Sequence, residues 1–378
     1  MAVDNSIQIN PTLTPFFSDQ VGSLLRSEAL KVARLQKQNG EISEQQLRAI
    51  QQQEIKSHVQ KQKDAGLKAI TDGEYSRAWW HFDFLEGLNG VIGYEPDSPL
   101  PFKGTKPKVH SIKVTDKIRF SQTHPFLQDF EFLNSLVDNK NHIAKQTIPS
   151  PNMLFLRGKN EASCYQNNLE AYLSDLIQAY QEAIQSFYDL GCRYLQLDDT
   201  AWALFFSETG INGLEELGYT VEQTLDIFTR LINESIKNKP SDMLITMHIC
   251  RGNFRSTYFG SGGYDAAAET IFGELKVDGL FLEFDDERSG GFEPLKYVQR
   301  KDLFVTLGLV TSKTPELEPK ALIKKRIEEA SQYLDLAQLR LSPQCGFAST
   351  EEGNLLSEQD QWNKLKHVVD IAEEVWGQ

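Results

Sequence analysis

From Leu67 to the C-terminus two patterns of apolar spacing alternate along the chain. Short runs rich in β-branched and aliphatic residues are followed by longer stretches whose apolar positions recur at helical spacing, which is the signature of βα units feeding a parallel sheet. The runs predict strands at Phe17–Val21, Leu67–Thr71, His142–Ile148, Tyr194–Asp198, Met243–Ile249, Gly279–Phe284, Leu303–Leu309 and Leu336–Leu341. Helices are expected over Leu169–Leu190, Val221–Lys237, Pro319–Tyr333 and Glu358–Trp376. Eight strands in this alternation predict an α/β fold closed into a (β/α)8 TIM barrel.

Two segments break the repeat. Ser27–Ala65 is rich in Gln, Lys and Glu, carries Leu47, Ile50, Ile55 and Val59 near helical spacing, and offers Ser43 with Gln46 as a capping box. It predicts an N-terminal helical segment, residues 27–65, covering one end of the barrel. Val91–Phe120 has turn residues at Pro96–Pro101 and then Val109, Ile112, Val114 and Ile118 in strand spacing, so residues 91–120 predict a β-hairpin insertion. The chain as a whole, 1–378, is expected to be one barrel with these two additions. Trp79-Trp80-His81-Phe82 is expected to pack against the insertion, with a stacking platform as the alternative.

Composition narrows the class. The 378 residues are 40% hydrophobic, ample for a core, and 39 basic against 53 acidic residues leave a net charge of −14. Such a surface repels nucleic acid and anionic membranes, and no run approaches the ~20 apolar residues of a membrane helix. Met1–Thr14 lacks the basic and apolar regions of a signal peptide, and four cysteines in a chain this long do not form a disulfide framework. A cytoplasmic location is expected.

In a barrel of this type chemistry sits where strands end. The predicted ends carry Gly22 and Ser23, Asp72 and Glu74, Asp198 and Asp199, His248 and Cys250, Glu283, Asp285 and Asp286, then Lys313 and Cys345. His248 and Cys250 stand at i and i+2 of one strand, so they share a face and can chelate one ion. Cys345 and Glu283, from neighbouring strand ends, can converge with them on the barrel axis. Imidazole and thiolate together suit Zn2+. Cys192 and Cys164 are read as buried core thiols.

With two thiolates, one carboxylate and a neutral imidazole the zinc centre carries −1, which makes it a poor generator of hydroxide. It suits the activation of an incoming thiol, ordinarily of pKa ~8.5, for alkylation, with Glu283 as the ligand that yields its place. Asp198 and Glu74 are read as partners of a substrate ammonium group. A metal-free retaining glycoside hydrolase using Asp198 and Glu283 stays open as an alternative. So does an idle zinc barrel acting as a binding protein. Arg251-Gly252-Asn253 and Gly260-Ser261-Gly262-Gly263 are read as a lid or linker, with an anion cradle as the alternative.

These residues, in this order, resemble the catalytic barrel of the cobalamin-independent methionine synthase family. The likeness runs from about Thr14 to Trp376 through Val21-Gly22-Ser23, Asp72-Gly73-Glu74 with Arg77, Leu195-Gln196-Leu197-Asp198-Asp199, His248-Ile249-Cys250, Glu283 and Cys345-Gly346-Phe347. The resemblance implies that His248, Cys250, Glu283 and Cys345 hold zinc, that Gly22 and Ser23 contact the carboxylate of homocysteine, and that Glu74 and Asp198 hold its amino group. It implies S-methylation of homocysteine to methionine, with a methyltetrahydrofolate or a delivering protein as methyl source. The chain departs from the family pattern at several places: Lys313 stands where the long enzyme has a proton-donating His, Arg157 where it sets a Trp against the folate, and the Val91–Phe120 insertion offers no clear equivalent of the basic, cysteine-containing folate segment. Lys313 is therefore expected to supply a proton or a positive charge near the leaving group. A uroporphyrinogen-decarboxylase-like or other alkyl-thiol transferase is the alternative on the same fold.

Overall fold

A computed structural model describes residues 16–96, 109–138, 140–216 and 218–377. The residues Met1–Thr14 and most of the Pro96–Pro101 turn, which bear on the reading of the N-terminus and of the insertion, lie outside the described residues. Among the described residues ten strands are defined: β1 (Ala69–Ile70), β2 (Asn89–Tyr94), β3 (Ser111–Arg119), β4 (Ile143–Pro149), β5 (Gly158–Asn160), β6 (Tyr194–Asp199), β7 (Leu244–Ile249), β8 (Gly279–Glu283), β9 (Phe304–Val310) and β10 (Leu339–Pro343). Seven of them form one all-parallel sheet in the order β1-β4-β6-β7-β8-β9-β10. Helices cover it, and residues of β4, β6, β7, β8 and β10 are buried without a break. Burial on both faces is why these strands read as continuous apolar runs rather than as alternation.

The expected first strand closes the curl without forming a ladder. Ser18 makes a parallel bridge to Leu341 of β10; Asp19 N–H donates to Leu341 O at 3.0 Å and Leu341 N–H to Phe17 O at 2.8 Å. Towards β1, Gln20 Nε2 reaches Ala69 O at 3.2 Å, and Leu24 N–H donates to Gly73 O at 3.0 Å. Gln20 N–H is spent on the Asp19 carboxylate at 2.6 Å, so the ladder loses a donor there. Asp19 also anchors the barrel interior, taking Lys145 Nζ at 3.2 Å and the Tyr194 hydroxyl at 2.6 Å. A buried ammonium and carboxylate are tolerable only as such a bonded pair.

The helical segment is present as two helices, Glu28–Gln38 and Glu44–Asp64, and the Ser43–Gln46 capping box forms as expected. The second helix buries Leu47, Ile55 and Val59 on one face. The insertion is a hairpin: β2 and β3 pair antiparallel, Val91 opposite Val114. β5, which the sequence pattern did not suggest, adds a third strand parallel to β3. Leu336–Gln338, expected to open the last strand, forms a 3-10 turn instead. Cys192 is buried as expected, but Cys164 is exposed in the short turn Ser163–Tyr165, which removes it from the core.

Candidate active site

The C-terminal ends of the parallel strands open into one cleft enclosing about 850 Å3, its mouth included. Ser23, Glu74, Asp198, His248, Cys250 and Cys345 all line it. Register explains the convergence: Asp198 of β6 lies opposite His248 of β7, and β7 and β8 pair through His248 and Phe281.

His248, Cys250 and Cys345 are buried, and one ligand atom from each lies within 4.8 Å of the others. Cys250 Sγ and Cys345 Sγ are 3.5 Å apart, within hydrogen-bond reach and not joined by a disulfide. Two sulfurs each ~2.3 Å from one tetrahedral ion stand about 3.8 Å apart, so the observed spacing suits a shared metal. His248 Nδ1 faces Phe281 O at 3.4 Å, while its Nε2 is buried with no hydrogen-bond partner. An orphaned imidazole nitrogen beside two thiols is the arrangement a metal ion satisfies. Contact with Cys250 and then with His248 holds the Cys345 thiol well below its ordinary range. The same contact with Cys345, together with burial, pushes Cys250 well up, as expected when two thiols share one proton. Burial opposes charge on His248, but Cys345, Asp198 and Glu283 outweigh it and raise its pKa.

Glu283 stands apart from this trio. Its Oε1 accepts from Arg251 N–H at 2.5 Å and its Oε2 from Arg288 at 3.2 Å. Burial favours the neutral acid, yet Lys313, Arg251 and Arg288 together keep the carboxyl below its usual range. Lys313 lies outside the lining of the cleft: its Nζ pairs with Asp285 at 3.1 Å.

The carboxylates expected from the sequence to hold an ammonium group, Glu74 and Asp198, are built into strained or buried positions. Glu74 has φ of 62°, in the left-handed region, held by the turn in which its N–H bonds Asp72 Oδ1 at 2.9 Å. Strain of this kind is kept where the surroundings over-determine it. Its Oε1 accepts from the Thr147 hydroxyl at 3.1 Å and pairs with Arg77 at 3.3 Å; Oε2 is buried and unpartnered. Burial, against the pull of Arg77 and Arg26, raises its pKa. Asp198 Oδ1 accepts from Gln196 Nε2 at 2.8 Å, and burial carries its pKa from 3.8 to about 7. Asp199 points the other way, onto Ser150 and Asn152. Gly22 takes φ of 144°, and a Cβ there would meet Thr147 Cγ2 at 2.7 Å. Gly346 is equally constrained, since its Cβ would sit 1.9 Å from Ser23 Oγ.

Sequence reasoning overlooked Thr147 and Gln196, which orient Glu74 and Asp198 from inside runs that read as plain strand. In the Arg251-Gly252-Asn253 run, read from the sequence as a lid, a linker or an anion cradle, Asn253 Nδ2 donates to Gly346 O at 2.7 Å. Arg251, which opens this run, is fully buried and bonds Gly262 O and the Tyr264 hydroxyl, a strut beneath the site, while Gly252 and Asn253 line the cleft. Trp79 does stack on His110 beside the hairpin, at 6.4 Å and 22°, and Trp79, Trp80 and His81 also line the cleft.

Comparison with known proteins places this site in a family. The profile described as "Cobalamin-independent synthase, Catalytic domain" matches residues 16–374. A protein of Bacillus subtilis (strain 168), YxjG, is 58% identical over 362 residues, 96% of this chain and 95% of its own length. A crystal structure from Listeria monocytogenes, solved as a candidate vitamin-B12 independent methionine synthase, shares 50% identity at a TM-score of 0.80, covering 97% of this chain and 99% of that one. The methionine synthase of Pyrococcus horikoshii is 23% identical over 88% of this chain and 85% of its own length. The chain belongs to the cobalamin-independent methionine synthase family.

Proposed function

We propose that this chain transfers a methyl group to the sulfur of homocysteine, giving methionine, at a zinc ion held by His248, Cys250 and Cys345. The observation that carries the reading is the buried trio with an unsatisfied His248 Nε2. Zinc bound there supplies a Lewis acid that lets a substrate thiol lose its proton at neutral pH.

The remaining steps fall to the side chains. Asp198 and the unpartnered Glu74 Oε2 pair with the substrate ammonium, and Ser23 Oγ with Gly22 receives its carboxylate, leaving the sulfur directed at Cys345 and Cys250. Glu283 would serve as the exchangeable oxygen ligand only by leaving Arg251 or Arg288, which hold its two oxygens. Lys313 acts through Asp285 and Glu283 as a positive charge that keeps this corner ionised, rather than as a donor reaching into the cleft. The methyl source is a methyltetrahydrofolate: its C–N bond breaks as the S–C bond forms, and the electron pair returns to nitrogen, which takes a proton from solvent in exchange for the one the thiol has released. A glycoside hydrolase has little support, because the cleft that Asp198 lines also holds the buried trio His248, Cys250 and Cys345, for which carboxylate chemistry has no use.

The test is product analysis. Zinc-loaded protein supplied with homocysteine and 5-methyltetrahydrofolate is expected to form methionine and tetrahydrofolate in equal amounts. Methionine formed only from a different methyl source would overturn the donor, and none from any source would overturn the function.

A further inference from the structure

Glu74 lines the cleft from a turn at residues 72–77, and its backbone, at φ 62°, is one that a residue other than glycine keeps only under constraint. The turn is pinned on both sides of it. Before Glu74, Gly73 O accepts from Leu24 N–H at 3.0 Å and from Arg26 Nη1 at 3.1 Å. After it, Tyr75 O and Arg77 O both accept from a single nitrogen, Arg34 Nη2, at 2.8 and 2.7 Å. The other arm of the same guanidinium, Nη1, pairs with Glu351 at 2.8 Å. A planar fork held at one end by a carboxylate fixes the direction in which its other end grips.

Arg34 does not belong to the barrel. It sits on the helix Glu28–Gln38, the first of the two N-terminal helices, and the second reaches the same turn. There Arg48 Nη1 bonds Ser76 Oγ at 3.1 Å, and His58 Nε2 meets the Tyr75 hydroxyl at 2.6 Å. Helices that only covered one end of the barrel would need their apolar face alone, yet this pair spends three polar side chains on one turn. Of the three, Arg34 alone grips the backbone, and it does so at the two carbonyls that follow Glu74. The direction of the Glu74 carboxylate is therefore set from outside the barrel.

We propose that Arg34 is a positioning residue for Glu74, and that through it the N-terminal helices set the preference for an amino-acid thiol over a thiol without an amino group. The inference rests on the reading of Glu74 as a partner of the substrate ammonium. A carboxylate displaced by roughly an ångström loses much of that charged pair, while the metal site and the pocket for the substrate carboxylate keep their geometry.

Calorimetric binding of two thiols to the zinc-loaded protein tests it: homocysteine, and γ-mercaptobutyrate, which is homocysteine without its amino group. Arg34→Met is expected to weaken homocysteine about tenfold and γ-mercaptobutyrate by less than about twofold, at unchanged zinc content. Arg34→Lys, which can hold one of the two carbonyls, should recover part of the loss. Arg34→Gln takes the place of Arg34→Met should that variant not fold. A general loosening of the protein would weaken both thiols alike; that result, or homocysteine binding within about twofold of wild type, would overturn the proposal. Glu74→Gln separates this inference from the reading beneath it. Homocysteine binding that Glu74→Gln leaves unchanged would overturn both, whereas a loss in Glu74→Gln with none in Arg34→Met would overturn the role of Arg34 alone. Binding is read rather than turnover, so a protein that binds homocysteine without forming methionine refutes the methyl transfer and leaves Arg34 to the same comparison.

Discussion

Asp198→Asn should make the metal-free protein more stable and the enzyme worse. Asp198 is buried at the end of β6, and burial moves its pKa from 3.8 to about 7. Across that interval the folded protein binds the proton more tightly than the unfolded chain, so stability falls as pH rises from about 4 to about 7. At ~1.36 kcal/mol per pH unit, ionising this carboxyl at pH 8 costs the fold roughly 4 kcal/mol. An asparagine keeps the shape and can still accept the bond from Gln196 Nε2, but it never ionises. In urea denaturation of the metal-free proteins, the advantage of Asp198→Asn over wild type should widen by about 3 kcal/mol between pH 5 and pH 8. In steady-state assays of the zinc-loaded proteins the KM for homocysteine should rise ~100-fold, since the substrate ammonium loses its charged partner. A variant less stable than wild type at pH 8, or a homocysteine KM within threefold of wild type, would refute the reasoning.

Two further perturbations probe the fold and the substrate pocket. His124 Nδ1 accepts from Phe126 N–H at a helix start and Nε2 faces Phe84 O, and burial lowers its pKa to about 4. The unfolded chain then binds more protons between pH 6.5 and 4, so wild type should lose about 3 kcal/mol on acidification through that window; His124→Asn, which retains a cap, should lose correspondingly less in the same urea titration, and equal pH slopes would refute this. Gly346→Ala places a Cβ 1.9 Å from Ser23 Oγ, so the KM for homocysteine should rise at least tenfold with zinc content unchanged, whereas a normal KM would show that Ser23 does not shape the substrate site.

Much of the barrel was legible because parallel strands buried on both faces leave uninterrupted apolar runs: β4, β6, β7, β8 and β9 fall within about two residues of their expected bounds. Ends were harder where side chains compete for the backbone. Gln20 N–H bonds Asp19 Oδ1 and the first strand shrinks to a bridge. β5 is three residues long, and its partner β3 belongs to the insertion, so no local periodicity marks it. At the site, the His248-x-Cys250 spacing on one strand was readable, and its meeting with Cys345 follows from parallel order around a closed sheet. The setting of Glu283 was not readable, because Arg251 and Arg288 reach it from loops.

The central claim is that one zinc, bound by His248, Cys250 and Cys345, takes up the thiol of homocysteine. Zinc-edge X-ray absorption of the protein before and after adding homocysteine tests it most directly. About one zinc per chain with two sulfur neighbours, rising to three on addition of homocysteine and lost in Cys345→Ser, is the expected result. A sulfur count that homocysteine leaves unchanged, or full zinc retention in Cys345→Ser, would contradict the account.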